Sequence, residues 1–283
     1  VNGYILRYDP VFDVDAVYGG AIEWVETGTF ASYYEYFSYF FNNFGGLRFF
    51  YWVFRISRVF GCTDYYMAAV TANALLSLFT VFLTGEVSGK LLGLRGRFMA
   101  YTLFLVSPPF YFIAPAFYTD ALAMPFPILL YWLYLLAKER NGRGVRAALL
   151  VLMGLAAAIG ILIKPVAAIA LIAIVIDAAL TWDWKRAILI AVTSLLFFLV
   201  CCTSLYGTIY RHIDRNEVEK NSTPLLHWVM MGLRGNGMYN ADDYEYTRSF
   251  DDREEQTEAL LREIKTRIQD RGFNGMVELL TAK

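Results

Sequence analysis

The middle of the chain consists of long apolar stretches separated by short polar turns. A helix needs about 17 to 25 mostly apolar residues to cross a hydrocarbon core of about 30 Å. Runs of this kind follow one another between residues 65 and 210. The pattern predicts six membrane-spanning helices, near residues 65–84, 98–114, 118–137, 147–163, 166–181 and 187–210.

The residues before this apolar region are more polar and carry three patterns. Apolar side chains recur at helical spacing within residues 9–26, which predicts a helix along the membrane surface. The aromatic-rich stretch 30–41 is typical of a belt at headgroup depth, and the alternative is a groove for a lipid or a sugar. Arg48, Arg55 and Arg58 fall near one helix face, which suits either snorkelling or a phosphate headgroup.

The residues after the apolar region begin with a turn-rich loop and end with a second amphipathic pattern. Apolar positions within residues 251–272 form a helical stripe, with Gly272 as its stop. The sequence therefore predicts an all-α polytopic membrane protein in three regions. They are an outer loop with interfacial helices (1–64), a module of about six transmembrane helices (65–210), and an outer loop with an amphipathic helix (211–283).

Composition supports a membrane protein and excludes several other classes. Hydrophobic residues make up 57% of the 283 positions and charged residues 18%, against about 45–50% and about 25% in soluble domains. The net charge of -1 argues against a nucleic-acid partner. Three cysteines and two histidines are too few for a disulfide scaffold or a His-rich metal centre, although a carboxylate site for a divalent cation stays open.

The cations predict which ends of the helices face the cytoplasm. Nine Lys and Arg residues fall in the turns 85–97, 138–146 and 182–186, and short loops rich in Lys and Arg stay in the cytoplasm. Both polar ends of the chain and the turns near 115–119 and 164–165 are then extracytoplasmic. A chain that opens on valine outside the membrane suggests a segment of a larger polytopic protein.

Ionisable side chains within or beside spans are expensive and mark functional sites. Asp177 is predicted near the cytoplasmic end of its helix, where an interfacial role is favoured. Asp120 and Lys164 are predicted on the outer side, together with Asp13 and Asp15. A carboxylate can act as general base for a hydroxyl, and a lysine can stabilise a departing phosphate. The chain has no glycine-rich nucleotide loop, which disfavours a nucleotide-sugar donor.

Five segments in one order resemble a known superfamily. They are FDVDAVYGGA, YFSYFFNNFGGL, AFYTDALA, GILIKP and PLLHWVMMGL. In this order they resemble the GT-C class of polyprenyl-phosphate-sugar-dependent membrane glycosyltransferases, in the branch of protein O-mannosyltransferases and aminoarabinose transferases. The similarity to bacterial members covers nearly the whole chain, and each motif alone is short.

The resemblance implies roles for particular residues. The family's base is an Asp in the first outer loop, which corresponds to Asp13; many members follow it with Glu, whereas Val14 stands here, so Asp15 stays an alternative. Asp120 and Lys164 correspond to a further family Asp and Lys. Lys164, with Arg48 and Arg55, would hold the lipid phosphate. The residues that would line the substrate site are Tyr36, Asn42, Asn43, Tyr118 and His227.

The implied reaction is an inverting transfer at the outer face of the cell membrane. The donor is a polyprenyl-phosphate-linked sugar, and the acceptor is a glycan, a lipid or a protein. No cofactor is required by the resemblance, although Asp13, Asp15 and Asp120 could hold a divalent cation if they converge. The rival hypothesis is a non-enzymatic transporter or lipid flippase, since charged residues and proline-broken helices also occur there. A subunit of a larger complex is the third possibility.

Overall fold

The computed structural model describes Ile5 and residues 7–281, and all regular structure in this part of the chain is helical. The predicted all-α class is confirmed. The chain divides into two compact units. The first contains the residues up to Phe37 and those from Phe41 to Asp214, and the second contains Ser38–Phe40 and the residues from Arg215 onward.

Short 3₁₀ turns at Ala31–Tyr33 and Phe41–Asn43 accompany the α-helices of the first unit. These helices are α1 (Phe12–Thr27), α2 (Tyr34–Tyr39), α3 (Phe44–Val59), α4 (Tyr65–Leu105), α5 (Pro108–Phe112), α6 (Thr119–Ala123), α7 (Pro125–Glu139), α8 (Arg143–Ile163), α9 (Ala167–Thr181) and α10 (Trp184–Ile209). The last two residues of α2, Ser38 and Tyr39, belong to the second unit. The second unit contains α11 (Arg215–Asn221), α12 (Leu225–Gly232), α13 (Ala241–Arg248) and α14 (Arg253–Thr281).

Helix α4 is a hairpin rather than one straight rod. Gly93 has φ 70° and ψ −166°, a conformation that only glycine adopts readily. Beyond it the chain turns back, so that the ring of Tyr101 packs against Gly85. Those two residues would lie about 24 Å apart along an uninterrupted helix. The two arms are joined further by an ion pair between Arg97 and Glu86, 3.1 Å apart.

The described chain contains four helices long and apolar enough to span a membrane, rather than the predicted six. They are α4, the continuous stretch Thr119–Glu139, α8 and α10, and α9 is a shorter apolar helix of 15 residues. The predicted spans 65–84 and 98–114 are the two arms of the α4 hairpin. The second arm ends at Leu105 rather than at 114 because Pro108 and Pro109 follow, which lack the N–H groups that a continuing helix needs.

Helices α7 to α10 form the main apolar core of the first unit. Leu130, Tyr134, Met153, Ala157 and Ile190 are each at most 1% exposed within it. Small side chains on α8 let α10 approach closely; a Cβ on Gly154 would stand 3.0 Å from the ring of Phe197. The outer faces of the same helices leave large apolar side chains exposed, such as Leu196 and Val200, as expected for lipid-facing surfaces.

The cation-rich turns meet at one end of this helix group. Lys90 pairs with Glu139, and Lys138 donates to Thr181 Oγ1 at 2.9 Å. Arg146 lies over the ring of Trp182, 5.7 Å from its centroid. The turn 138–146 therefore contacts both of the other turns that the sequence analysis placed on the same side of the membrane. Because α7, α8 and α9 follow one another in antiparallel fashion, Asp120 and Lys164 lie at the opposite end.

The second unit is organised around a buried carboxylate. Asp243 is 2% exposed and accepts hydrogen bonds from both Arg267 and Arg234, which hold the pKa of this carboxyl below its usual value. His227 is fully buried in the same unit, with Nδ1 2.7 Å from Thr247 Oγ1. The predicted stop at Gly272 is a break, with φ 59°, after which α14 resumes.

Candidate functional site

A carboxylate held by two tyrosine hydroxyls lies at the start of α1. Asp13 is in the first turn of that helix and is partly exposed. Tyr36 donates to Asp13 Oδ1 at 2.8 Å, and Tyr118 donates to Asp13 Oδ2 at 3.1 Å. Three segments far apart in sequence thus meet at one side chain. Each carboxylate oxygen keeps a lone pair for a further donor, because an ionised carboxylate accepts about four hydrogen bonds.

Asn43 connects the two tyrosines. It precedes the first turn of α3, but its side chain does not cap that helix. The amide instead donates to the hydroxyl of Tyr36 at 2.6 Å, and its oxygen lies 3.3 Å from the hydroxyl of Tyr118. Asn43 is only 3% exposed, so these contacts satisfy polar groups that water does not reach. The arrangement fixes both hydroxyls relative to Asp13.

Both tyrosines remain protonated and therefore act as donors. Burial raises the pKa of Tyr36 far above its ordinary value, and the charge of Asp13 raises it further. The pKa of Tyr118 is raised by the same two causes in the same order. At neutral pH the pair therefore presents O–H groups to the Asp13 carboxylate.

The ring of Tyr118 links this carboxylate to a second charged group. Lys164 Nζ lies over that ring, 5.4 Å from its centroid, within the range of a cation–π contact. The same ammonium pairs with Asp120 Oδ2 at 2.9 Å. The side chains of Lys164 and Asp120 are 32% and 68% exposed, so the pair is accessible to solvent and can exchange partners. A carboxylate and an ammonium group thus contact one tyrosine, the carboxylate at its hydroxyl and the ammonium at its ring face.

Two glycines bring the backbone segments of the site together. A Cβ on Gly45 would stand 1.8 Å from the carbonyl oxygen of Leu162, two residues before Lys164. A Cβ on Gly46 would stand 2.8 Å from Thr119 Cγ2, and 3.2 Å from Val17 Cγ1 on α1. The start of α3, next to Asn43, fits against all three of its neighbours only because these positions have no side chain.

The loop that carries Tyr118 is anchored from beneath. Asn73 on α4 is fully buried and donates to the carbonyl oxygens of Ile113 and Ala114, at 2.7 and 3.0 Å. Phe117 is also fully buried and packs against Phe50 and Tyr66. Sequence reasoning did not select Asn73, although a lone amide in an apolar run is a signal that could have been used.

The remaining candidates are distributed over other parts of the chain. Asp15 hydrogen-bonds Tyr33, whose pKa is raised by burial first and by Asp15 second. Asn42 is exposed and donates to Asn43 Oδ1 at 3.4 Å. His227 lies in the second unit, and its lining role stays a prediction. No three His, Cys, Asp or Glu side chains within Ile5 and residues 7–281 are grouped to hold a metal, so Asp13, Asp15 and Asp120 do not converge as a cation site would require.

The predicted phosphate-binding arginines line a separate cavity. Arg48 and Arg55 border it with Arg58 and Arg211, and its lining includes neither Asp13 nor Lys164. Arg211 was not selected from the sequence, because it follows the last apolar run and its neighbours in space are far away along the chain.

Comparison with protein families assigns the chain to a family of membrane proteins. A family described as conserved hypothetical integral membrane protein matches residues 5–283. The chain belongs to this family. Its description names no activity, so the integral membrane character is established and the glycosyltransferase resemblance is not. Comparison with curated proteins and with solved structures found no match. For this integral membrane family, function has to be argued from the site.

Proposed function

We propose that this protein is a membrane glycosyltransferase that moves a sugar from a polyprenyl-phosphate donor to an acceptor hydroxyl by inverting direct displacement. The observation that carries the proposal is the partly exposed Asp13 carboxylate, which accepts hydrogen bonds from Tyr36 and Tyr118. The ring of Tyr118 also contacts the Lys164 ammonium, so the carboxylate and the cation lie beside the same side chain. A positioned base and a cation beside it are the two groups that transfer from a lipid phosphate requires.

Asp13 is the base in this proposal. An acceptor hydroxyl donates to one of the free lone pairs of the carboxylate. Its oxygen forms a bond to the anomeric carbon while the bond from that carbon to the phosphate oxygen breaks, and the acceptor proton passes to Asp13. The polyprenyl phosphate leaves with the electron pair. The two tyrosine hydroxyls keep the carboxylate in one orientation throughout, which is the positional control that general-base catalysis needs.

Lys164 binds the donor phosphate. At rest its ammonium is paired with Asp120, and the exposure of both groups allows the phosphate to take the place of Asp120. Asp120 then serves to position Lys164 rather than to accept a proton. Arg48 and Arg55 line a different cavity, so the donor phosphate is assigned to Lys164 alone.

The proposed site faces the extracytoplasmic side of the cell membrane in a multi-pass protein. The support is the gathering of cation-rich turns at the end of α7, α8 and α9 that is opposite Asp120 and Lys164. A sugar donor that is linked to a membrane lipid is present at that interface and needs no soluble nucleotide carrier. The acceptor is then a glycan, a lipid or a protein outside the cytoplasm.

The first test is Asp13→Asn in the full chain. Purified protein in detergent receives polyprenyl-phosphate-linked radiolabelled sugars one at a time, together with a membrane extract as the source of acceptors, and release of polyprenyl phosphate and transfer of label to the extract are measured. Asn keeps the shape of the side chain but cannot accept the proton, so turnover should fall by about 10² to 10⁴-fold. Asp9→Asn, at an exposed position outside the cluster, is the matched control and should keep wild-type turnover.

Three outcomes would contradict the assignment. Undiminished turnover of Asp13→Asn removes this residue from the mechanism, and a comparable loss in Asp15→Asn with Asp13→Asn active would move the base to Asp15. Absence of release from every donor by the wild-type chain, together with movement of the donor across sealed vesicles, would favour the flippase hypothesis. Elution of each variant as a single species on size exclusion separates loss of activity from loss of folding.

A further inference from the structure

The arginine cavity is a second feature of the first unit, separate from the Asp13 cluster. It has a volume of about 590 Å³ and lies between the end of α1, one face of α3 and the end of α10. Trp24, Tyr51 and His212 line it with the four arginines Arg48, Arg55, Arg58 and Arg211. Arginine is the side chain best suited to phosphate, because its planar fork donates two parallel hydrogen bonds.

Most of the positive charge in this cavity has no carboxylate partner. Arg58 is accounted for, since it pairs with Glu26 at 3.4 Å and donates to the carbonyl oxygen of Val25 at the end of α1. Within the described chain, Arg48, Arg55 and Arg211 form no ion pair. Like charges gathered in one cavity repel one another unless an anion is bound between them.

The surroundings hold two of these guanidinium groups, those of Arg48 and Arg55, in place. Arg48 stacks on Trp24, Tyr51 and Trp52, with its guanidinium carbon 4.9 to 5.1 Å from each ring centroid. Arg55 donates to the hydroxyl of Tyr51 at 2.7 Å. Stacking leaves the in-plane N–H groups of an arginine available to a ligand. A preorganised cation of this kind loses little freedom when it binds an anion.

An apolar groove begins where the cavity ends. Its volume is about 530 Å³, and it runs between α3, α8 and α10, bordered by Phe49, Trp52, Ile159, Leu162, Val200 and Leu205. Arg48 lines both the cavity and the groove. Val200 is 67% exposed on the outer, apolar face of α10. The groove therefore leads from a lipid-facing helix surface to the arginines.

We infer that this cavity and groove together form a binding site for a membrane lipid with a phosphate headgroup, with the phosphate among Arg48, Arg55 and Arg211 and the hydrocarbon chain in the groove. Charge complementarity selects the headgroup, and the apolar lining that continues from Arg48 selects a lipid over a soluble phosphate. The site is distinct from the Asp13 cluster, and its occupation does not require transfer of a sugar.

The test measures lipid retention by native mass spectrometry of the full chain. Detergent-solubilised protein is equilibrated with phosphatidic acid or with phosphatidylcholine of the same acyl chains. Wild type should retain phosphatidic acid selectively. Arg48→Gln and Arg211→Gln should each weaken that retention by about tenfold or more, since each removes a charge-assisted hydrogen bond. Arg143→Gln, exposed on the opposite, cation-rich end, is the matched control and should bind as wild type does.

Two further arms separate a lipid from a free anion and from misfolding. Ser204→Trp fills the groove at one of its lining residues, so it should abolish retention of phosphatidic acid while leaving inorganic phosphate able to protect the arginines from modification by phenylglyoxal. Arg48→Lys keeps the charge and should recover part of the selectivity. Equal retention of both lipids by wild type, or unchanged retention in Ser204→Trp, would overturn the proposal; full competition by millimolar inorganic phosphate would replace the lipid by a soluble anion.

Discussion

One phenol connects the two halves of the candidate site. The Tyr118 hydroxyl donates to Asp13 and lies 3.3 Å from the Asn43 side-chain oxygen, and the ring face of Tyr118 contacts Lys164. A side chain with both a polar end and an apolar face can order two charges of opposite sign without pairing them directly. Asp13 and Lys164 both contact Tyr118 and do not pair with each other; Lys164 pairs with Asp120 instead.

Tyr118→Phe should separate these two contributions. The substitution removes the hydrogen bond to Asp13 Oδ2 and keeps the ring beneath Lys164. Transfer turnover should drop by about tenfold, as expected for loss of one hydrogen bond to a charged group, while donor affinity changes little. Tyr118→Leu should lower both. Measuring turnover and donor affinity in the two variants checks the assignment, which fails if Tyr118→Phe weakens donor affinity as much as Tyr118→Leu does.

At the level of single residues, the sequence indicated which side chains could take part in chemistry but not which of them contact one another. Asp13, Lys164 and the family-like Tyr36, Asn43 and Tyr118 were all selected, and the structure brings these five into one network. Sequence alone could not show whether Asp13 or Asp15 contacts Tyr36 and Tyr118, because the neighbours of each side chain depend on how α1 packs. It also could not show that Arg48 and Lys164 line different spaces, because side-chain direction depends on how α3 packs.

Among the elements, α3 has the tightest fit. Its first residues lie against Leu162, Thr119 and Val17 with no room for a side chain at Gly45 or Gly46. The helix carrying Asn43 at its start is therefore positioned by contact with the three segments that supply the other site residues. Packing of this kind transmits a small shift at the glycines directly to the hydrogen bonds around Asp13.

Gly45→Ala is expected to destabilise the protein and displace the site. The added Cβ would stand 1.8 Å from a backbone carbonyl oxygen, which cannot move away as a flexible side chain can. Overpacking of this type costs about 1 to 3 kcal/mol. Thermal unfolding in detergent should show a lower midpoint for Gly45→Ala and an unchanged one for Gly144→Ala, where nothing lies within 4 Å. Equal midpoints in the two variants would show that α3 can shift freely.

The helices were predicted more accurately than the bends between them. Hydropathy located the stretch Thr119–Glu139, α8, α9 and α10 within a few residues, because lipid-facing helices must be apolar over their whole length. It also predicted two spans, 65–84 and 98–114, with a turn at 85–97 between them, and α4 reverses direction at Gly93 within that turn. It placed the end of the second arm at 114 rather than at Leu105, and it did not single out Gly93 as the residue at which the chain reverses.

For the whole molecule, the proposed topology makes a direct prediction about access. After replacement of Cys62, Cys201 and Cys202 by serine, a new cysteine at Ala116 or at Gly142 should react with a membrane-impermeant maleimide from opposite sides. Both positions are exposed in turns, and they lie at opposite ends of the helix group. In intact cells only Ala116→Cys should be labelled, and Gly142→Cys should react only after permeabilisation. The reverse pattern would put the Asp13 cluster in the cytoplasm.

The anchoring of the Tyr118 loop by Asn73 also sets how deep the reaction would take place. Asn73 lies about 12 Å along α4 from Tyr65 at 1.5 Å per residue, so the loop is tied two turns below the start of that helix. If the start of α4 is level with the membrane surface, the bottom of the site lies below that surface. Such a recessed site would favour acceptors that enter on a narrow, extended stem.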